Sequence, residues 1–198
     1  SCHRKIHNEN NDVASTAKVV AEMLKTLKID LSGSNFLETP RRFAEVLKEF
    51  SGLQGEFEKG CEELSESVFE HESDNMIVAS NLDAAGLCPH HLMPVLYKVT
   101  IGYITKGYAL GLSKLARFSE LCAKRLQLQE NYTSLLAATL CTYLHIDDVA
   151  VVTEARHMCM IARGVKQQHA KVVVAEMRGA FKTEPETRAE FYQYREKL

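Results

Sequence analysis

Val95-Leu96-Tyr97-Lys98-Val99-Thr100-Ile101-Gly102-Tyr103-Ile104 alternates with a period of two. Val95, Tyr97, Val99, Ile101 and Tyr103 fall on one face, and β-branched and aromatic side chains dominate it. This pattern predicts a half-buried strand, and the apolar run Met76-Ile77-Val78-Ala79 is its simplest antiparallel partner. Between the two lies Leu87-Cys88-Pro89-His90-His91-Leu92. Cys88 and His91 have the Cys-x-x-His spacing that lets a tight turn aim sulfur and nitrogen at one metal ion. Pro89 fixes one φ inside that turn, and Pro94 closes the segment. Far downstream, His157 and Cys159 stand at i and i+2, which on a strand places both on one side. Zn²⁺ accepts thiolate and imidazole together, so the two halves could form one site.

Helical spacing dominates on either side of this core. Val13, Ala17, Val20, Leu24 and Leu27 predict a helix over 12–28, broken by Ser32-Gly33-Ser34. Thr39-Pro40 opens a second helix, with Thr39 as N-cap and Pro40 at the first helical position, and Gly52 ends it. The acidic stretch from Glu56 to Asp74 reads as a solvated connection. After a turn at Lys106-Gly107, Gly111-Leu112-Ser113 caps a helix carrying Leu115, Phe118, Leu121, Cys122 and Leu126 inward. A further helix over 130–144 buries Leu135, Leu136, Leu140 and Tyr143. Strands follow at Val149–Ala155 and Lys171–Met177, and a short amphipathic helix begins at Pro185. The expected organisation is a flexible segment over 1–11 and a single α+β domain over 12–198, helical to residue 74 and sheet-bearing from 75.

A net charge of -2 over 198 residues gives no general reason to expect nucleic acid. No apolar run reaches membrane-spanning length and the first residues carry no signal-peptide pattern, so the expectation is a cytoplasmic protein without membrane association. Of the six cysteines, Cys122 and Cys141 sit in apolar helical stretches and read as buried free thiols. In a reducing compartment, Cys88 and Cys159 remain for metal.

Ser113, Lys114 and Arg117 begin a helix, where exposed N–H groups, the helix dipole and two cations suit phosphate. On these residues alone a solvated basic face is the stronger reading. Arg163 adds a cation shortly after Cys159. The Glu130 carboxylate, next to Gln129, could accept two N–H donors from a guanine edge, or simply stabilise the N-terminus of the next helix. His90 and His157 exceed the needs of a three-ligand site, and an imidazole beside a metal is suited to proton transfer.

Several separate motifs in one order carry a more specific signal. Cys88 with His90-His91, Gly111-Leu112-Ser113-Lys114-Leu115-Ala116-Arg117, Gln127-Leu128-Gln129-Glu130, and Glu154-Ala155 with His157-Met158-Cys159-Met160 and Arg163-Gly164-Val165 resemble type I GTP cyclohydrolase. The similarity extends to Glu38-Thr39-Pro40-Arg41-Arg42-Phe43, Phe50-Ser51-Gly52-Leu53 and Thr187-Arg188 with Glu190-Phe191. The resemblance implies the tunnelling fold, an antiparallel sheet with helices on one side, plus N-terminal helices. It also implies a homodecamer of two pentamers with pockets shared between subunits. The implied reaction converts GTP and water to 7,8-dihydroneopterin triphosphate and formate. By position, Cys88, His91 and Cys159 would bind Zn²⁺ and leave one coordination position open. His90 and His157 would move protons, and Glu130 with Gln129 would hold the guanine edge. Ser113, Lys114, Arg117, Arg163 and Arg42 would hold triphosphate and ribose.

Two positions leave the family pattern. Pro89 stands where Glu is usual, and His169-Ala170 where a Ser is common. These departures leave three rival readings: a paralogue acting on a related purine nucleotide, a non-catalytic ring that binds GTP or pterin, and a closed structural zinc site.

Overall fold

The computed structural model describes residues 9–52, 54–66, 68–72 and 74–197. Of the segment expected to be flexible, residues 1–8 lie outside the described residues, while 9–11 open the first helix. The chain divides after Ser51 into two compact units.

In the first unit α1 (Glu9–Thr26) packs on α2 (Thr39–Glu49), burying Val20, Pro40 and Ala44. The cap differs from expectation by one residue. Glu38, not Thr39, occupies the N-cap, and its carboxylate accepts from Arg41 Nε at 2.6 Å rather than capping an N–H. Pro40 still sits in the first turn, where its missing N–H costs nothing.

The second unit opens with α3 (Gln54–Ser65), where a solvated connection was expected. Charge dominates the composition of this stretch, but Phe57, Cys61 and Leu64 recur at helical spacing and pack into the core. Then come β1 (Val68–Glu70), β2 (Met76–Cys88), β3 (Met93–Ile104) and β4 (Tyr108–Leu110). The helices α4 (Leu112–Ala123) and α5 (Gln129–Leu144) lead to β5 (Val149–His157), α6 (Met158–Ile161) and β6 (Val172–Met177). The chain closes with α7 (Ala180–Thr183) and α8 (Pro185–Lys197).

β2, β3, β5 and β6 form one antiparallel sheet in that order, and β1 pairs with β4. Val95, Tyr97, Val99, Ile101 and Tyr103 point inward as the alternation requires, against Leu115, Phe118, Leu136 and Leu140 of the helices. The long helices α4 and α5 cover this face. The C-terminal helices contribute a smaller cluster on alternate strand residues, with Phe181 and Phe191 against Ala150 and Val152. Gly102 permits that approach: a Cβ there would stand 2.6 Å from the Phe191 ring.

One irregularity in β2 controls which side chains face the helices. The β2–β3 register slips between Ala79 and Leu82, and Asn81 takes a positive φ of 57°. Before the slip Ile77 and Ala79 face the core. After it Leu82, Ala84 and Cys88 do. This is a β-bulge, and it changes the parity of every later residue in the strand. Leu126, expected on the inward face of α4, instead lies beyond the helix, 46% exposed, bridged to Leu87.

Asp148 ties the far end of the sheet together. Its Oδ1 accepts the Ala180 N–H at 2.7 Å, and its Oδ2 pairs with Lys106 Nζ at 2.6 Å. Burial alone would raise this carboxyl, but the hydrogen bonds from Lys106 and Ala180 outweigh it and hold the group below its ordinary 3.8. A depressed carboxyl contributes stability that is full above the unfolded value and is lost as the pH falls through the folded one. Asp148→Asn should therefore lower stability by about 1–3 kcal/mol near neutral pH. In denaturant titrations that difference should shrink below pH 3.8; a difference that is constant with pH would exclude the ionic contribution.

Candidate active site

The hairpin between β2 and β3 is a four-residue turn over 89–92, with the Leu92 N–H donating to Cys88 O at 2.9 Å and Leu92 at a φ of 52°. It holds Cys88 at the end of β2, directly opposite Met93, and projects His90 and His91 at the surface. Two residues along β3, Val95 stands opposite His157, the last residue of β5. Register therefore carries His157, the first of the downstream pair, to the hairpin end of the sheet.

Cys88, His91 and Cys159 come together, with their ligand atoms all within 4.8 Å of one another. Cys159 arrives by a different route from the one its spacing suggested. β5 ends at His157, and Cys159 lies in the one-turn helix α6, so the i, i+2 strand argument does not describe it. Cys88 is buried, Cys159 half-buried and His91 exposed. His90 Nδ1 lies 3.7 Å from Cys88 Sγ. Burial, followed by the neighbouring Cys88 sulfur, pushes the Cys159 thiol up. Two thiols and an imidazole at this spacing fit a borderline-soft divalent cation such as Zn²⁺, and a cation between the sulfurs offsets their mutual repulsion. By contrast burial pushes Cys61 and Cys122 up to about 11 and about 12, which marks them as inert core thiols.

His157 is half-buried beside the trio, and burial lowers it from its ordinary 6.5 against an opposing pull from Glu130. Gln129, expected near the guanine edge beside Glu130, lies at the start of α5. It is only 3% exposed, and its side chain is spent inside the protein. Nε2 donates to Thr153 O at 3.0 Å, Thr153 Oγ1 at 3.1 Å and Val172 O at 3.0 Å, while Oε1 lies 3.1 Å from His157 Nε2. Glu130, the next residue, is exposed and close enough to act on both His157 and Tyr97.

The phosphate candidates divide. Arg163 follows α6 by two residues and is exposed. Ser113, Lys114 and Arg117 sit at the other end of α4. That helix starts near Tyr103, whose hydroxyl accepts the Leu110 N–H, and ends at Ala123, whose carbonyl packs on Gly86. Ten residues of helix separate Ser113 from Ala123, about 15 Å. Arg117, four residues nearer, is about 9 Å from that end, so Ser113 and Lys114 are the members set farthest from Gly86. Arg42 belongs to α2 in the first unit. Sequence reading passed over Thr153 and Thr133, both fully buried partners of Gln129. Their signal was present: Thr153 is a polar residue at an inward position between Val151 and Ala155.

The profile of the family described as GTP cyclohydrolase I matches residues 16–196. The chain belongs to the GTP cyclohydrolase I family. GTP cyclohydrolase 1 of Rattus norvegicus is 37% identical over 184 residues, covering 93% of this chain and 75% of the rat protein. That of Methylococcus capsulatus is 36% identical over 172 residues, 86% of this chain and 91% of its own. The Wolinella succinogenes protein is 40% identical over 163 residues, 82% and 86% of the two chains. Among solved structures, archaeosine synthase QueF-Like in its apo form aligns with 55% of this chain and 97% of its own, at 15% identity and a TM-score of 0.44. Family membership makes the protein an enzyme of GTP cyclohydrolase I type, and the antiparallel sheet backed by α4 and α5 is the fold that the family motifs implied. Among the described residues no helix is long and apolar enough to cross a membrane.

The donor set predicts one divalent ion per chain. Co²⁺ titrated into metal-free protein should give sulfur-to-metal charge-transfer absorption saturating at one equivalent. Cys159→Ser should lose that absorption and most bound Zn²⁺, because a hydroxyl is a poor substitute for thiolate. His157→Ala should keep both; metal loss in that variant would point to a closed four-donor site.

Proposed function

We propose that this enzyme hydrolyses and rearranges GTP to 7,8-dihydroneopterin triphosphate and formate, with Zn²⁺ held by Cys88, His91 and Cys159. The observation that carries this reading is the convergence of those three donors with His90, His157 and Glu130 at one strand end, in a chain matched by the family over 16–196. The relatives are called GTP cyclohydrolase 1, which supports GTP as the substrate. When bound, zinc supplies Lewis-acid activation of water at neutral pH.

The protein's own residues do the rest. The carboxylate of Glu130 accepts the guanine N1–H and 2-amino hydrogens, a paired acceptor for a paired donor. His157 enters as a neutral imidazole, because burial disfavours its charged form, and so can take a proton at the opening ring. His90, beside Cys88, serves the second transfer as formate leaves. Two waters add at C8, one opening the ring and one releasing formate, whose two oxygens they supply; closure of the pterin ring gives one water back, so one is consumed net. Arg163 and the Ser113, Lys114 and Arg117 group hold the triphosphate, with Arg42 as a further candidate.

The separation of about 15 Å along α4 between Ser113 and the helix end beside Gly86 supports a reading in which Ser113 and Lys114 act on another copy's pocket. This supports a homo-oligomer, a decamer of two pentamers as the family motifs imply, in which a lone subunit is inactive. Pro89 removes a charge and an N–H from the turn beside the metal but stiffens it, so metal geometry is preserved and any cost falls on substrate positioning.

Purified zinc-loaded protein supplied with GTP should release formate and a fluorescent pterin in equal amounts. Formate without pterin would favour a paralogue that stops at ring opening; GTP binding with neither product would favour a non-catalytic ring. His157→Ala should cut turnover by about 10²–10⁴-fold while zinc is retained. Glu130→Gln presents N–H donors to the donors of guanine, at about 1–3 kcal/mol for each mispaired group, and should raise the Michaelis constant for GTP strongly. Normal GTP kinetics in that variant would place the purine anchor elsewhere.

A further inference from the structure

The side chain of Gln129 cannot be turned around. Thr153 O and Val172 O are carbonyls, able only to accept, and both lie 3.0 Å from the amide nitrogen. Reversing the amide would set its oxygen against two other oxygens. The NH₂ group must therefore face the strands, and Oε1 must face His157. An amide oxygen accepts only, so the hydrogen in the 3.1 Å contact belongs to His157 Nε2.

The supporting hydroxyls agree in direction. Thr133 Oγ1 donates to Gln129 O at 2.8 Å, which spends its hydrogen. Its 2.7 Å contact with Thr153 Oγ1 must then be donated by Thr153. That leaves Thr153 Oγ1 able to accept at 3.1 Å, sharing with Thr153 O one of the two hydrogens of Gln129 Nε2. Gln129, Thr133 and Thr153 are at most 3% exposed, so water does not compete for these groups.

We infer that Gln129 is a positioning residue that fixes His157 as the Nε2–H tautomer and leaves the lone pair on Nδ1 for proton transfer. The two strand carbonyls orient the amide, and the amide orients the imidazole, so β5 and β6 set the tautomer through a helix residue. The kinetic part of the inference rests on the proposed reaction; the tautomer itself does not.

Magic-angle-spinning NMR on zinc-loaded protein carrying ¹³C,¹⁵N-histidine tests it directly. His157 is assigned by its absence in His157→Ala. In its neutral form the wild-type ring should show a protonated Nε2 and an unprotonated Nδ1. Gln129→Met keeps bulk and removes the acceptor. It should yield a mixture of tautomers and a turnover loss of about 10²-fold or more, with zinc content and the Michaelis constant for GTP near wild type. If Gln129→Met does not fold, the wild-type spectrum by itself carries the test. A neutral Nδ1–H ring in wild type would overturn the inference, as would an unchanged tautomer in Gln129→Met. Failure of the GTP chemistry alone would leave the wild-type spectrum as predicted and silence only the turnover arm.

Discussion

Side chains on a strand alternate between two faces, and the Cys/His cluster exists only because β2 and β5 turn the right residues to the same face at the same end of the sheet. β5 meets this condition by simple register, with His157 opposite Val95. β2 does not. A regular strand that buried Ile77 and Ala79 would bury odd-numbered residues to its end and send Cys88 to the opposite face. The bulge before Leu82 adds the one residue that reverses this parity, at the cost of placing Asn81 in the left-handed region. Asn accepts that conformation more readily than most residues, so the strain is small beside the gain of aiming a thiol at the site.

Around the cluster the protein builds rigidity from polar groups that would be costly if unpaired. Gln129, Thr133 and Thr153 are buried, and each spends its donors and acceptors inside one network that ends on His157. A fully satisfied network of this kind orders side chains more sharply than apolar packing does, because each hydrogen bond has a direction. Packing then protects it. Tyr97 and Tyr132 stack with ring centroids 4.5 Å apart on the same inward face. The adjoining Cys88 and His91 lie where the sheet ends and the hairpin meets solvent, so order and access sit side by side.

On the proposed reading the pocket of this enzyme is closed by more than one chain. α4 carries its basic N-terminal residues to one end of the sheet and its C-terminus to the other, beside Gly86 and Cys88. On the proposed reading the anion-binding part of one subunit serves the metal-binding part of another. Such a division makes assembly a condition of activity without a dedicated regulatory element.

Much of this was legible in the residues. The period-two run over 95–104, the Cys88-x-x-His91 spacing and the order of the motifs were enough to indicate an antiparallel sheet, a metal trio and the family, because local periodicity and ligand chemistry are properties of the chain itself. Less was legible wherever a residue's partner is distant in sequence. The acidic composition of 56–74 concealed the Phe57, Cys61 and Leu64 stripe of α3, whose burial depends on α4 and α5. His157 and Cys159 were paired on the strength of a strand that ends at His157. Gln129 was read only as a neighbour of Glu130 at the guanine edge; that its side chain is buried, with Oε1 3.1 Å from His157 Nε2, depends on a strand and a helix far apart in sequence. The sequence by itself determined which donors this protein carries and the fold that unites them. Which face Cys88 occupies, which way the Gln129 amide points and how far Ser113 stands from the cluster were decided only in the tertiary structure, because each depends on strand register and on hydrogen bonds between segments that the linear order keeps apart.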